Sequence, residues 1–323
     1  MKLAGYLLMI STTAFGADFL SSEISNGIVT MQFYVQQERA GSYRGTRFDW
    51  SGIAHSIKYA GHEFAGQWYP KHDPQIHDAL TGPAEEFLMG ESAHGYAEAQ
   101  PGGTFMRIGV GTVRKPAGET AYNRFKTYEI VDPGRRSFEK TEDKAVFVHE
   151  LDAGDGYAYR YTKTVRLTKG KPEFTIEHRL ENTGRKAIEF DQYNHNFFTI
   201  DDSTIGPGVS ITFPFAPKAK EDLGGKAVIK GNSIEFLRDL APGGEYVGTA
   251  IEGFGSTERD YDFRIDNKRA GAGVRIRGDQ PLTRIYFWSI RTVACPEPFI
   301  HLRAEPGKDV RWTLTYDLNT IAR

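Results

Sequence analysis

The sequence predicts an all-β protein, a large antiparallel β-sandwich, on three observations: period-two hydrophobic alternation, closely spaced turn signals, and no helical run longer than a few turns. Phe174, Ile176, His178 and Leu180 alternate with Glu173, Thr175, Glu177 and Arg179, which makes one face apolar and the other wet, as in a half-buried strand. Trp312, Leu314, Tyr316 and Leu318 repeat that pattern near the end of the chain. Similar runs at 105–110, 122–131, 146–151, 157–167 and 285–290 extend strands over the whole length. Asp132-Pro133-Gly134, Asp155-Gly156, Gly170-Lys171-Pro172, Asn182-Thr183-Gly184, Pro242-Gly243-Gly244 and Glu305-Pro306-Gly307 supply hairpin turn chemistry between them. The segment from His72 to Glu98, rich in His, Asp, Glu, Gly and Pro with little alternation, reads as a long functional loop.

Composition narrows the function. With 39% hydrophobic and 25% charged residues, the 323-residue chain can bury a core, and no composition shift marks an internal boundary. Forty basic residues against forty-two acidic ones, with no Lys/Arg patch, argue against a nucleic-acid partner. Met1-Lys2, the apolar Leu3 to Ile10, and the small Ala14 and Gly16 match a cleaved export signal over residues 1–16. The expected mature part, residues 17–323, is then one periplasmic or secreted sandwich domain. No apolar stretch is long enough for a membrane span, at about 20 residues. Cys295 is the only cysteine, which excludes an intramolecular disulfide and any site built on paired thiols.

Two local patterns suit acid–base chemistry. Tyr193-Asn194-His195-Asn196-Phe197-Phe198 sets an imidazole among amides and aromatic rings, where its pKa can be moved across neutrality. The alternative is a strand histidine satisfied by a backbone carbonyl. Cys295-Pro296-Glu297-Pro298-Phe299 flanks a carboxylate with prolines that restrict the backbone to extended conformations, so Glu297 has a fixed direction, as a base needs. The alternative is a solvated Glu on a rigid loop.

Asn194-His195-Asn196-Phe197-Phe198 resembles the Asn-His-x-Tyr-Phe signature of the galactose mutarotase (aldose 1-epimerase) superfamily, and Glu297-Pro298, then Glu305-Pro306-Gly307 and a last strand, resemble its ending. The resemblance implies His195 as general acid, Glu297 as general base, and no metal or cofactor. The stretches 43–52 and 82–87 look like marks of an uncharacterised bacterial subgroup. His94-Gly95-Tyr96 resembles a His-Gly-Phe turn lining the sugar site in some relatives, although Ala97 and Glu98 replace the usual Arg.

Arg47, Glu86, His94, Asn194 and Trp288 are the expected sugar-binding residues. Arg47 and Glu86 could instead pin a loop as an ion pair, and Trp50, Trp288 and Tyr193 could stack on a sugar or fill the core. His72, Asp73, His77, Asp78, Glu85, Glu86 and His94 are numerous enough to raise a cation site, but their spacing matches no metal pattern. The expected partner is a small sugar or an oligosaccharide. Anomerisation, binding without turnover, and hydrolysis or lysis of larger glycans all stay open on this fold.

Overall fold

The computed structural model describes residues 19–35 and 37–322, so the expected signal segment lies outside the described residues. Two large sheets, antiparallel throughout, form the body. The ten-stranded sheet runs in the order Ala227–Lys230, Ser233–Phe236, Val209–Thr212, Asp262–Asn267, Ala272–Gly278, Asp309–Thr320, Glu173–Asn182, Ala158–Leu167, Lys144–Asp152, Arg135–Lys140. The six-stranded sheet runs Lys218–Ala219, Tyr246–Glu252, Arg284–Ile290, Ala294–Ala304, Ile188–Phe197, Gly82–Leu88. A four-stranded and a three-stranded sheet complete the architecture. The helical content among the described residues is one short 3₁₀ turn at Glu258–Asp260, and no helix there is long and apolar enough to cross a membrane.

The long strands sit where alternation places them. Along Glu173–Asn182 every second residue is buried, and its partner Asp309–Thr320 alternates likewise. Their inward side chains meet the six-stranded sheet: Trp312 packs 6.2 Å from Phe87 and 5.7 Å from Phe190, ring centre to ring centre. This is sheet-on-sheet packing, in which the inner faces interdigitate into a single core.

Two expectations are corrected. The stretch from His72 to Glu98 is not one long loop, because Gly82–Leu88 is a strand of the six-stranded sheet with all seven residues buried. A second apolar cluster, including Phe48, Trp50, Leu80, Ala84, Leu88, Phe105 and Val113, covers the outer face of this sheet, so both faces are dry and alternation disappears. The expected strand at 122–131 is also shorter: only Ile130–Asp132 pairs, and the residues before it form a loop. The aromatic residues there, Tyr122 and Tyr128, stack on each other 5.7 Å apart as loop packing, which mimics a strand's composition.

A polar group ties the two sheets together. Lys163 of Ala158–Leu167 donates to Glu85 Oε2 at 2.5 Å and to the Ser51 carbonyl at 2.9 Å, and both side chains are shielded from water. Asn194 Nδ2 donates to Glu85 Oε1 at 3.2 Å. Burial pushes the Glu85 carboxyl upward, and the Lys163 ammonium opposes that push. Removing one member strands the other charge in a dry interior. Lys163→Met is therefore expected to lower the unfolding free energy by about 3–5 kcal/mol in urea titrations followed by circular dichroism. The double variant Lys163→Met, Glu85→Leu should be more stable than the single one, and a single variant as stable as wild type would contradict this account.

Candidate active site

Strand pairing lays three rows of side chains across the outer face of the six-stranded sheet. Arg284 pairs with Phe299, Phe299 with Tyr193, and Tyr193 with Glu86. Two residues along, Tyr286 pairs with Glu297 and His195 with Ala84; two further, Trp288 pairs with Cys295 and Phe197 with Gly82. Continuing the Tyr193–Phe299 register by two positions sets His195 opposite Glu297. His195 Nε2 lies 3.2 Å from Glu297 Oε1.

The prolines explain the local geometry. Ala294–Ala304 is a central strand, where proline is normally excluded because it removes a ladder donor. Regular pairing with Ile188–Phe197 ends at Tyr193–Phe299, just before Pro298. Side chains take over from the lost donors: Asn196 Nδ2 donates to the carbonyls of Asn194 (3.1 Å) and Pro296 (3.0 Å), and the Cys295 thiol donates to the Asn196 carbonyl (3.2 Å). Buried carbonyls need such partners. Freed from the ladder, the two strands hold His195 and Glu297 face to face.

Beneath the first row sits a charged cluster. Glu86, fully buried, accepts from Arg47 Nε at 2.8 Å, Arg124 Nη2 at 2.5 Å and the Tyr193 hydroxyl at 2.6 Å, with Arg107 Nη2 3.7 Å away. Arg47 and Arg124 also donate to the Tyr193 oxygen, at 2.8 and 2.6 Å. Arg107 fixes the backbone of this corner, donating to the carbonyls of Thr46, Arg47 and Phe87. Burial works against ionising Glu86, but the three guanidiniums outweigh it and hold its pKa at about 2.

These rows floor a cavity of about 440 Å³ lined by Arg47, His77, Asp78, Arg124, Phe125, His195, Phe197, Tyr246, Arg284, Tyr286, Trp288, Glu297 and Phe299. That volume is in the range of small-ligand pockets. His195 stacks on Phe197 at 3.8 Å and meets Trp288 edge-on at 5.4 Å. Burial, reinforced by Arg47 and Arg124, holds the His195 pKa well below its ordinary value. Burial raises Glu297 to about 7 even though Arg47 and Arg124 pull it down. Below about pH 7 the pair therefore holds its proton on Glu297, with the neutral His195 imidazole 3.2 Å away.

No protein-family model matches the chain, nor does any curated protein sequence. Solved structures do. A protein from Synechocystis sp. superposes with a TM-score of 0.57 at 11% identity, covering 97% of this chain and 100% of its own. A galactose mutarotase related enzyme from Lactobacillus acidophilus gives 0.55 at 11% identity, covering 94% and 98%. A GalM/aldose epimerase homologue from C. elegans gives 0.55 at 12%, covering 94% and 100%. The chain has the galactose mutarotase-like fold.

In this mutarotase-like sandwich His195, Glu297, Arg47 and Trp288 reach the cavity wall. Three other expected binding residues do not. Asn194 points the opposite way, into the core, where it contacts Glu85 and Tyr316, because neighbours along a strand face opposite sides. His94 is buried against Tyr157 with Nε2 on the Glu189 carbonyl, and burial holds its pKa at about 4. Glu86 lies under the floor, where it anchors Arg47. Of the stacking candidates, Trp50 is buried between the Arg44 and Arg136 guanidiniums, and Tyr193 lies beneath Arg124. Arg124, Phe125, Tyr246, Arg284 and Tyr286 also line the wall without having been singled out. Arg284 and Tyr286 were legible in principle, since they share the alternation phase of Trp288; Arg124, on an irregular loop, gave no signal. Among the described residues no three His, Cys, Asp or Glu side chains converge as metal ligands.

Glu297 makes the site costly to fold at alkaline pH. Its pKa rises from 4.5 to about 7 on folding, so between those values the native state holds a proton that the unfolded state has lost, and stability declines as pH rises through that window. Glu297→Gln is expected to be more stable than wild type at pH 8, by up to roughly 3 kcal/mol, with the gain vanishing near pH 4.5. Thermal unfolding of both proteins across pH 4.5–8 measures it; a gain independent of pH would refute the shifted carboxyl.

Proposed function

We propose that the protein interconverts the anomers of a free aldose, with His195 and Glu297 as the acid–base pair. The observation carrying this reading is the 3.2 Å contact between His195 and Glu297, both buried, at the floor of an aromatic-walled cavity. Anomerisation needs one group to take the proton of the anomeric hydroxyl and another to protonate the ring oxygen. Both oxygens are bonded to the same carbon, so the two groups must stand side by side. A Glu297 carboxylate accepts the hydroxyl proton, the C1 to ring-oxygen bond breaks as the carbonyl forms, and protonated His195 gives its proton to the departing ring oxygen. After rotation about the C1–C2 bond the same two groups, now reversed in protonation, close the ring on the other face. Trp288 and Tyr286, both partly exposed at the cavity wall, offer apolar faces for the sugar C–H bonds.

The competent state, carboxylate beside imidazolium, differs from the resting carboxyl and neutral imidazole by one proton moved between adjacent atoms. Each group contributes roughly 10²–10⁴ in rate. His195→Gln and Glu297→Gln should each lower kcat by about that factor on freshly dissolved α-anomers, followed by polarimetry or exchange NMR. Wild-type rates in either variant would end the proposal, and ligand binding without acceleration would favour a binding protein on the same fold.

The pH profile follows from the shared proton. Activity should fall above about pH 7, where the pair loses its proton. Arg124→Met, which deletes a charge that lowers Glu297, should move that alkaline limb upward. A limb unmoved by the substitution would disconnect it from Glu297.

A further inference from the structure

The charges around the cavity do not balance. Arg47, Arg107 and Arg124 surround one carboxylate, Glu86, and among the described residues no other carboxylate lies within ion-pair distance of the three. Glu86 is held ionised and neutralises one of them, leaving two positive charges in a corner where Arg47 and Arg107 are buried and Arg124 is partly buried. Glu297 supplies at most one more negative charge, and only when it has lost its proton. Asp78 at the wall is engaged with His77, whose Nε2 lies 3.4 Å from Asp78 Oδ2. Arg124 Nε is buried without a partner.

A fourth guanidinium stands at the mouth. Arg284 lies over the Phe299 ring, 3.9 Å from its centre, and its only carboxylate partner among the described residues is the exposed Glu91, 3.0 Å from Nη1. Phe125, itself exposed, covers Arg47 and Arg124 at 4.9 and 5.7 Å and limits how far water can solvate them. Excess buried charge is unfavourable unless an opposite charge arrives. A planar guanidinium with free N–H groups receives carboxylate or phosphate oxygens in pairs.

Position along the sheet points the same way. Arg284 and Tyr286 are two residues apart on one strand and share a face, which separates their rows by about 7 Å. Glu297 is paired with Tyr286, so Arg284 is displaced from the acid–base pair by about one pyranose width. A ring whose anomeric carbon is held at His195 and Glu297 is thus long enough to reach the arginines with its opposite end.

We propose, resting on the anomerase reading above, that the substrate is an acidic aldose whose carboxylate or phosphate, remote from C1, is received by Arg284 and Arg124 at the cavity wall. The neutral parent sugars lack the group that balances these cations.

The test uses the full chain and five defined sugars: glucose, galactose, glucuronate, galacturonate and glucose 6-phosphate. Exchange NMR of the anomeric protons should give a kcat/KM at least 10-fold higher for an acidic sugar than for its neutral parent. The advantage should shrink several-fold in 0.5 M NaCl, because the rim guanidinium is accessible to screening ions. Arg284→Gln, at a partly exposed position, should narrow the ratio about 10-fold. Preference between the uronates and the 6-phosphate distinguishes the two anionic groups. Calorimetry with Glu297→Gln reads binding apart from turnover. Acidic sugars that bind more tightly than neutral ones without being anomerised would uphold the charge assignment and overturn the anomerase reading. Neutral sugars turned over as well as acidic ones would do the reverse, and no binding of any of the five would overturn both.

Discussion

One strand register governs the site. Ile188–Phe197 and Ala294–Ala304 are aligned so that the imidazole of residue 195 and the carboxylate of residue 297 fall opposite each other, and a slip of either strand by one residue would turn its member of the pair to the other face of the sheet. The alignment is secured on both sides of the functional pair. On one side the ladder is regular up to Tyr193 and Phe299; on the other, Asn196 and Cys295 hold the strands together where prolines have removed the usual donors. An interruption that would weaken an ordinary central strand here gives the pair room without releasing the strands.

The chemistry of the pair comes from where the register delivers it. Both faces of the six-stranded sheet are covered in this region, so water cannot solvate either ionised form well, and burial moves the two groups in opposite directions: Glu297 toward holding a proton, His195 toward losing one. The ordinary order of the two affinities is thereby reversed, and the resting proton sits on the carboxyl beside a neutral imidazole. Glu86 acts at one remove. It holds Arg47 and Arg124 beside the pair, and these two charges temper the rise of Glu297 and deepen the depression of His195. Tyr193, two residues before His195 on the same strand, places its hydroxyl in that cluster, against Arg47, Arg124 and Glu86.

Legibility differed by element for physical reasons. The strands Glu173–Asn182 and Asp309–Thr320 face solvent on one side, so their alternation was plain in the residues. Gly82–Leu88 faces packed protein on both sides and carries two buried glutamates, a pattern that resembles a polar loop until their partners Lys163, Arg47 and Arg124 are known. The segment around Tyr122 erred the other way: its aromatic residues pack in a loop that delivers Arg124 to Glu86.

By itself the sequence determined the all-β class, the turns, and the two short motifs holding His195 and Glu297, because alternation and proline restriction are properties of neighbouring residues. Only the tertiary structure decided which side chains share a wall. It turned Asn194 and His94 away, sank Glu86 beneath the floor, and brought in Arg124 and Arg284. Those outcomes depend on register and on contacts between residues far apart in the chain, and on the burial that follows from them. Local sequence encodes a side chain's chemistry, whereas the charge it carries and the neighbour it meets are set by the packed fold.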